Sequence, residues 1–329
     1  SILGRVIERA VAGIALQEAD RNGRRYAYPM DYPNEDRIEA SIQLSAHHSD
    51  GDVEDLKVDP ETYAAQDAFF STGTAKGPDF VQAMACLIDP RFEGLLDRVL
   101  NDDASVAAFH KLGEHLESGG NVFNTVPHGP LLDIGLLHAT AYIALSRLGY
   151  APKMGIVISH GVAGRGKRFG DDIVCLADAL DWACDKVWYV TPRTTRVRES
   201  SYVELVPGER ITEQNAIVRT DIAESLDAGG FVITVAPSAT SNKRNPAGGF
   251  FMERPTLGTL RLMSHPQSWI ALVAGRILGA DKPSYYVVPE FPVLGGNGEQ
   301  LNAQGAELIS RMCDEMNRID APTSYVVRD

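Results

Sequence analysis

At 329 residues, 44% hydrophobic and 23% charged, the chain has the make-up of a soluble globular protein, long enough for one large domain or a core domain with a smaller companion. A net charge of -13 sets the average field against nucleic acid and against anionic membrane, so an anionic ligand has to be met by a local basic patch. The most apolar windows, "LLDIGLLHATAYIAL" and "WIALVAGRILGA", are interrupted by charge or histidine short of the roughly 18 residues a membrane span needs, which leaves at most peripheral membrane contact.

The opening segment, "SILGRVIERAVAGIALQEADRNG", has apolar residues at helical spacing with acids among them, and reads as an ordinary helix rather than a signal peptide. "SDGDVEDLKVDPE" carries six acids and one lysine and reads as a solvated loop, with His47 and His48 at its border and Asp50 within it as surface residues. "ETYAAQDAFFSTG", "GPDFVQAMACLID" and "DPRFEGLLDRVL" lack the β-branched runs of strands and are read as helices. Residues 1–104 therefore form a smaller, mostly helical N-terminal region.

From about residue 105 the texture changes. The helix "SVAAFHKLGEHLES", with His110 and His115 on its surface, stops at Gly119 and Gly120, and "NVFNTV" follows as a strand. The apolar runs "KMGIVIS", "KVWYVT", "GFVITVAP", "SWIALVAG" and "YYVVP" then alternate with helical stretches such as "EQNAIVRTDIAESLDAGG" and "AQGAELISRMCDEMNRI". Such alternation predicts an α/β domain over 105–329, a mixed β-sheet flanked by helices, with ligands met where strands pass into loops and helix starts.

Between the strand "NVFNTV" and the apolar helix that follows lies "PHGPLLD". Pro130 suits the first position of a helix and Gly129 its cap, which puts His128 just outside the helix and Asp133 in its first turn. Residues five apart on one helix are about 140° apart, so the two meet only if the histidine's loop folds back. A carboxylate that fixes an imidazole tautomer leaves the second ring nitrogen as a base aimed outward. No serine or cysteine nucleophile adjoins the pair in sequence, so the base would activate a hydroxyl of the substrate. The bland alternative is a loop histidine beside a first-turn acid favoured by the helix dipole.

His128, four intervening residues and Asp133 match the HX4D motif, and the chain here resembles the glycerolipid acyltransferase superfamily. Downstream, "GRGKRFGDDIVCL" and "LDAGGFVITVAPSATSNKRNPAGGFF" resemble the family's later blocks in the same order, the second being similar to the strand and basic turn of the soluble plastid-type glycerol-3-phosphate acyltransferases. The likeness covers roughly residues 80–290. It implies transfer of a fatty acyl group from a thioester, acyl carrier protein or coenzyme A, to a hydroxyl of glycerol 3-phosphate or a similar small acceptor. His128 would be the base and Asp133 its orienter, with no resident cofactor and no metal, in the cytoplasm or an organelle stroma.

Where the plastid-type block has arginine this chain has Ser241, two of its glycines are Ala239 and Thr240, and the residue before the motif histidine is Pro127. These departures fall on the part that in the family holds the acceptor's phosphate. They leave open a relative that acylates a non-phosphorylated alcohol or amine, or an inactive protein that binds acyl chains or acyl carrier protein.

Basic residues offer anion sites. Arg193, Arg196 and Arg198 follow the strand "KVWYV" with no acid from Thr191 to Arg198, which reads either as a guanidinium phosphate site or as a solvated loop. Lys243 and Arg244 follow the strand "GFVITVAP" and could share such a ligand. "GVAGRGKR" imitates a phosphate-binding P-loop, but Arg168 stands where the magnesium-ligating Ser or Thr would be. Lys167 and Arg168 fit an acyl or phosphate channel better. Ser238 lacks the G-x-S-x-G elbow of a nucleophile and reads as a turn serine at the substrate site's edge. Cys86, Cys175, Cys184 and Cys313 form no CxxC pair and suggest free thiols in a reducing compartment.

Overall fold

The computed structural model of the protein describes residues 77–129, 131–159, 166–169, 172–175, 184–190, 195–197, 201–203, 208–238, 243–278 and 280–328. The expected opening helix, the acidic loop with His47, His48 and Asp50, and the helix expected over 61–73 lie outside the described residues. One compact unit comprises Lys76–Ile156, Ala183–Lys186 and Ile222–Asp329; the described residues of the other fall in Val157–Trp182 and Val187–Asp221.

The first unit opens with three helices, α1 (Pro78–Ile88), α2 (Phe92–Leu100) and α3 (Asp103–Glu117). On α2 the buried residues Phe92, Leu95, Leu96 and Val99 recur at i, i+3, i+4 and i+7, the stripe that faces a core. Asp102 caps α3 by accepting the Ser105 amide, and Gly119, at φ 89, ends it by turning the chain into the first strand. That strand, β1 (Asn121–Thr125), is buried at every residue, as expected of a parallel strand covered on both faces.

Helix α4 (Leu131–Arg147) and strand β2 (Lys153–Ser159) follow, then the short antiparallel pair β3 (Gly166–Phe169) and β4 (Asp172–Cys175). Strand β5 (Lys186–Val190), the antiparallel pair β6 (Thr195–Val197) and β7 (Ser201–Val203), and helix α5 (Gly208–Ala228) lead to β8 (Phe231–Val235). The chain closes with β9 (Lys243–Arg244), β10 (Phe250–Met252), α6 (Leu257–Met263), β11 (Ser268–Arg276), β12 (Ser284–Val287), α7 (Gly298–Ile319) and β13 (Tyr325–Val327).

The main sheet has the order β12-β11-β1-β8-β2-β5. Its centre is parallel: β1 lies between β11 and β8, and β8 pairs in turn with β2. β12 runs antiparallel along β11, so the sheet is mixed, as the alternation of apolar runs predicts.

Strand β11 shows how both faces are covered. Leu272 and Ala274 share a core with Ile309, Met312 and Met316 of α7, whereas a β-carbon on the next position, Gly275, would meet Leu137 of α4 at 2.6 Å. Alternate residues of a strand point to opposite faces, so α7 and α4 lie on opposite sides of the sheet. Glycine at 275 is what lets α4 approach so closely. Helix α7 starts with a capping box in which Asn297 and Gln300 satisfy each other's backbone amides. A second small sheet, β13-β10-β9, closes the α7 side, with β10 parallel to β13.

Candidate active site

Three neighbouring parallel strands, β11, β1 and β8, deliver the chain to the same edge of the sheet, the edge at which ligands of α/β proteins bind. Past β1 the ladder continues for one bond, from the Val126 amide to the Val235 carbonyl at 3.1 Å. The chain then tightens. The amide of Gly129 donates to the carbonyl of Pro127 at 2.9 Å, a three-residue turn with His128 at its apex. His128 is half-buried, and its Nδ1 is buried.

Asp133, in the first turn of α4, is 2% exposed. Its Oδ1 accepts the amides of Ile277 and Leu278, at 2.9 and 3.0 Å, in the segment just past β11. Among the described residues these are the hydrogen bonds that the carboxylate makes, and neither goes to the imidazole. Its other oxygen, Oδ2, faces the histidine turn: a β-carbon on Gly129 would lie 3.4 Å from it. Asp133 thus ties the end of β11 to the start of α4 and puts a carboxylate under the turn that carries His128.

Burial dominates the electrostatics of Asp133 and pushes its carboxyl up to about 7, although the Leu278 and Ile277 amides and the positive charge of Arg276 pull the other way. Arg276, the last residue of β11, donates to Asp320 at 3.0 Å, and the Tyr325 hydroxyl donates to the same Asp320 oxygen at 2.7 Å. Neither the two amides nor Arg276 figured in the sequence reading. They lie more than 140 residues after Asp133, and only the parallel pairing of β1 with β11 brings them to it.

Ser238, three residues past the end of β8, reaches the same edge; it is 6% exposed, and the neighbouring Pro237 carbonyl accepts the Thr256 amide at 3.3 Å. Ser238 thus lies in a turn held by that bond. Lys243 and Arg244 form β9, Lys167 and Arg168 fall in β3, and Arg196 falls in β6. The side chains of these five, and the whole of Arg193 and Arg198, lie outside the described residues. His110 accepts or donates at Tyr150 Oη, 2.9 Å away, and His115 stacks on Trp269 with ring centroids 3.8 Å apart, so both are tied into the fold away from the histidine turn.

Among the described residues no group of three or more His, Cys, Asp or Glu side chains could hold a metal ion, and no helix is long and apolar enough to cross a membrane. No protein-family model matches the chain, and no curated protein matches it in sequence.

Proposed function

We propose that the protein is an acyltransferase that moves a fatty acyl group from a thioester, acyl carrier protein or coenzyme A, to a hydroxyl of glycerol 3-phosphate or a similar small acceptor. The observation that carries this reading is the turn itself. His128 stands at its apex beyond a central parallel strand, and the carboxylate of the HX4D spacing is buried beneath it with Oδ2 toward Gly129.

In this mechanism His128 takes the acceptor's hydroxyl proton on Nε2, the nitrogen opposite the buried Nδ1. The acceptor oxygen bonds to the thioester carbonyl carbon, and the oxyanion is met by amide N–H groups at the start of α4, where the helix carries partial positive charge. The C–S bond then breaks, and the departing thiolate takes the proton back from the imidazolium. Asp133 supports the imidazolium: with its carboxyl near 7, the ionised form is populated at neutral pH and offsets the positive charge that forms above it.

The test is thiol release from palmitoyl-coenzyme A and from palmitoyl-acyl carrier protein, each with glycerol 3-phosphate, with glycerol and with neither, for the wild type and His128→Ala. Acceptor-dependent release that drops by about 10²–10⁴-fold in a folded His128→Ala protein is expected. Unchanged turnover in that variant would sink the mechanism. Equal rates with glycerol would move the acceptor to a non-phosphorylated alcohol.

A further inference from the structure

The segment that follows β11 is held from two sides. Asp133 accepts the Ile277 and Leu278 amides on one side. On the other, Arg91, the residue before α2, donates to the carbonyls of Ala280 at 2.7 Å, Ile277 at 3.3 Å and, more weakly, Asp281 at 3.5 Å.

Asp89, between α1 and α2 and only 5% exposed, aims the guanidinium. Its Oδ2 accepts Arg91 Nη2 at 2.7 Å, and its Oδ1 accepts Nε at 3.0 Å and the Arg91 amide at 2.9 Å. A planar fork held along one edge by a carboxylate presents its remaining N–H groups in a fixed direction, here toward the carbonyls past β11.

One peptide group connects the two sides. The Ile277 carbonyl that accepts from Arg91 and the Leu278 amide that donates to Asp133 Oδ1 at 3.0 Å belong to the same peptide. In a trans peptide these two groups point in opposite directions, so the guanidinium and the carboxylate lie at its two ends. A positive charge at the carbonyl draws electron density from the nitrogen and makes the N–H a stronger donor. A stronger donor favours the ionised carboxylate.

After burial, the Leu278 amide has the largest influence on the Asp133 carboxyl, ahead of the Ile277 amide and of the charges of Arg276 and Asp320. The other groups around the carboxylate are His128, on the turn above it, and Tyr325 of β13; Asp281 adds a second carboxylate near Arg91.

We propose that Arg91 is a positioning residue for the histidine turn: through the peptide of Ile277 and Leu278 it favours the anionic form of Asp133 beneath His128. In its effect on turnover the inference rests on the acyl-transfer reading. Its effect on the carboxylate does not.

Arg98 supplies the control. It lies on α2 and donates to the Pro283 carbonyl at 2.9 Å, in the same connection between β11 and β12 but beyond the peptides bound by Asp133. Losing Arg98 loosens the connection without touching the bridging peptide.

The experiment labels the aspartate carboxyl carbons of the full chain with carbon-13 and follows their resonances from about pH 5.5 to 9, Asp133 being assigned by its loss in Asp133→Asn. Ordinary aspartates are ionised across this range, so a carboxyl that titrates within it stands out. Arg91→Lys keeps a cation for Asp89 but has no fork to reach the Ile277 carbonyl as well. The double variant Asp89→Asn, Arg91→Met removes both charges together. In each, the Asp133 midpoint is expected to rise by about 0.5–1 pH unit, whereas Arg98→Met should leave it within about 0.2. Thiol release at pH 7 should fall about two- to fivefold in the Arg91 variants through kcat, with KM for the acyl donor unchanged, and recover toward the wild type at higher pH, where Asp133 ionises in all of them. An unmoved midpoint in the folded Arg91 variants would overturn the inference, and so would an equal rise in Arg98→Met. Should the wild type release no thiol, acyl transfer falls, and the midpoint alone decides for or against Arg91.

Discussion

Asp133 reaches across 144 residues of sequence to accept the backbone amide of Ile277 at 2.9 Å, and with the Leu278 amide beside it this bond joins the end of β11 to the start of α4. Both amides are buried, so without the carboxylate they would be orphaned. Leaving a buried donor unsatisfied costs about 1–3 kcal/mol each. Asp133→Ala is therefore expected to lower stability by about 2–5 kcal/mol in urea denaturation, whereas Asp133→Asn, which keeps an acceptor oxygen, should cost under about 1 kcal/mol at acidic pH. Equal losses in the two variants would show that the amides find other partners.

The same carboxyl predicts a pH dependence. Its value in the fold, about 7, lies above the ordinary value of 3.8, because burial disfavours the charge. Between about pH 4 and pH 7 the folded protein holds a proton that the unfolded chain has released, so this group's contribution to stability falls as pH rises and levels off above 7. Asn has no proton to hold. The stability of Asp133→Asn relative to wild type should therefore improve steadily across that window in paired urea titrations, and a difference independent of pH would refute the assignment.

The contrast between Asp133 and His138 shows what the sequence could tell. Asp133 was legible in position only: four residues and a proline-marked helix start place it in the first turn after His128, while its hydrogen bonds run to amides 144 and 145 residues on. The main sheet was legible too, since "NVFNTV", "GFVITVAP" and "SWIALVAG" carry apolar residues toward both faces, as buried parallel strands do. His138 gave no such signal. It looks like one polar residue on an apolar helix, and its partners Thr234 and Cys184 stand 96 and 46 residues away, brought together only by strand order. The small sheet of β9, β10 and β13 was missed for a related reason: strands of two or three residues carry too short a pattern to show alternation. The turn at His128 was half legible. Its need to fold back followed from helix geometry, but the Pro127 to Gly129 bond that closes it, and the carboxylate's choice of the Ile277 and Leu278 amides, did not.

Arg276 and Asp320 form a second anchor beside Asp133, only 22% and 12% exposed at their side chains. Removing one partner of so enclosed a pair leaves the other charge poorly solvated. Arg276→Met is expected to destabilise by about 3 kcal/mol, and Tyr325→Phe, which removes one hydrogen bond to Asp320 and leaves the ion pair, by about 1 kcal/mol. In a double-mutant cycle Arg276→Met and Asp320→Asn should couple by more than about 1 kcal/mol. Additive losses would mean that the pair acts as a surface contact.

Gly248 and Gly249 separate two causes of glycine preference at one turn. Both hold left-handed backbone, at φ 104 and 80, but a β-carbon on Gly248 would meet open space, while one on Gly249 would fall onto the carbonyl of Ser324. That carbonyl is the acceptor of the Phe250 amide at 2.7 Å, the bond that starts the pairing of β10 with β13. Gly248→Ala should therefore lose only the conformational part, about 1–2 kcal/mol. Gly249→Ala adds a backbone collision that no side-chain rotation relieves, and is expected to cost at least about 2 kcal/mol more in urea denaturation. Its effect should also appear as faster amide exchange at Phe250, with exchange in β1 unchanged wherever β10 and β13 open apart from the main sheet. Matching losses in the two alanine variants would show that the turn shifts away from Ser324 and that the close approach contributes nothing to the fold.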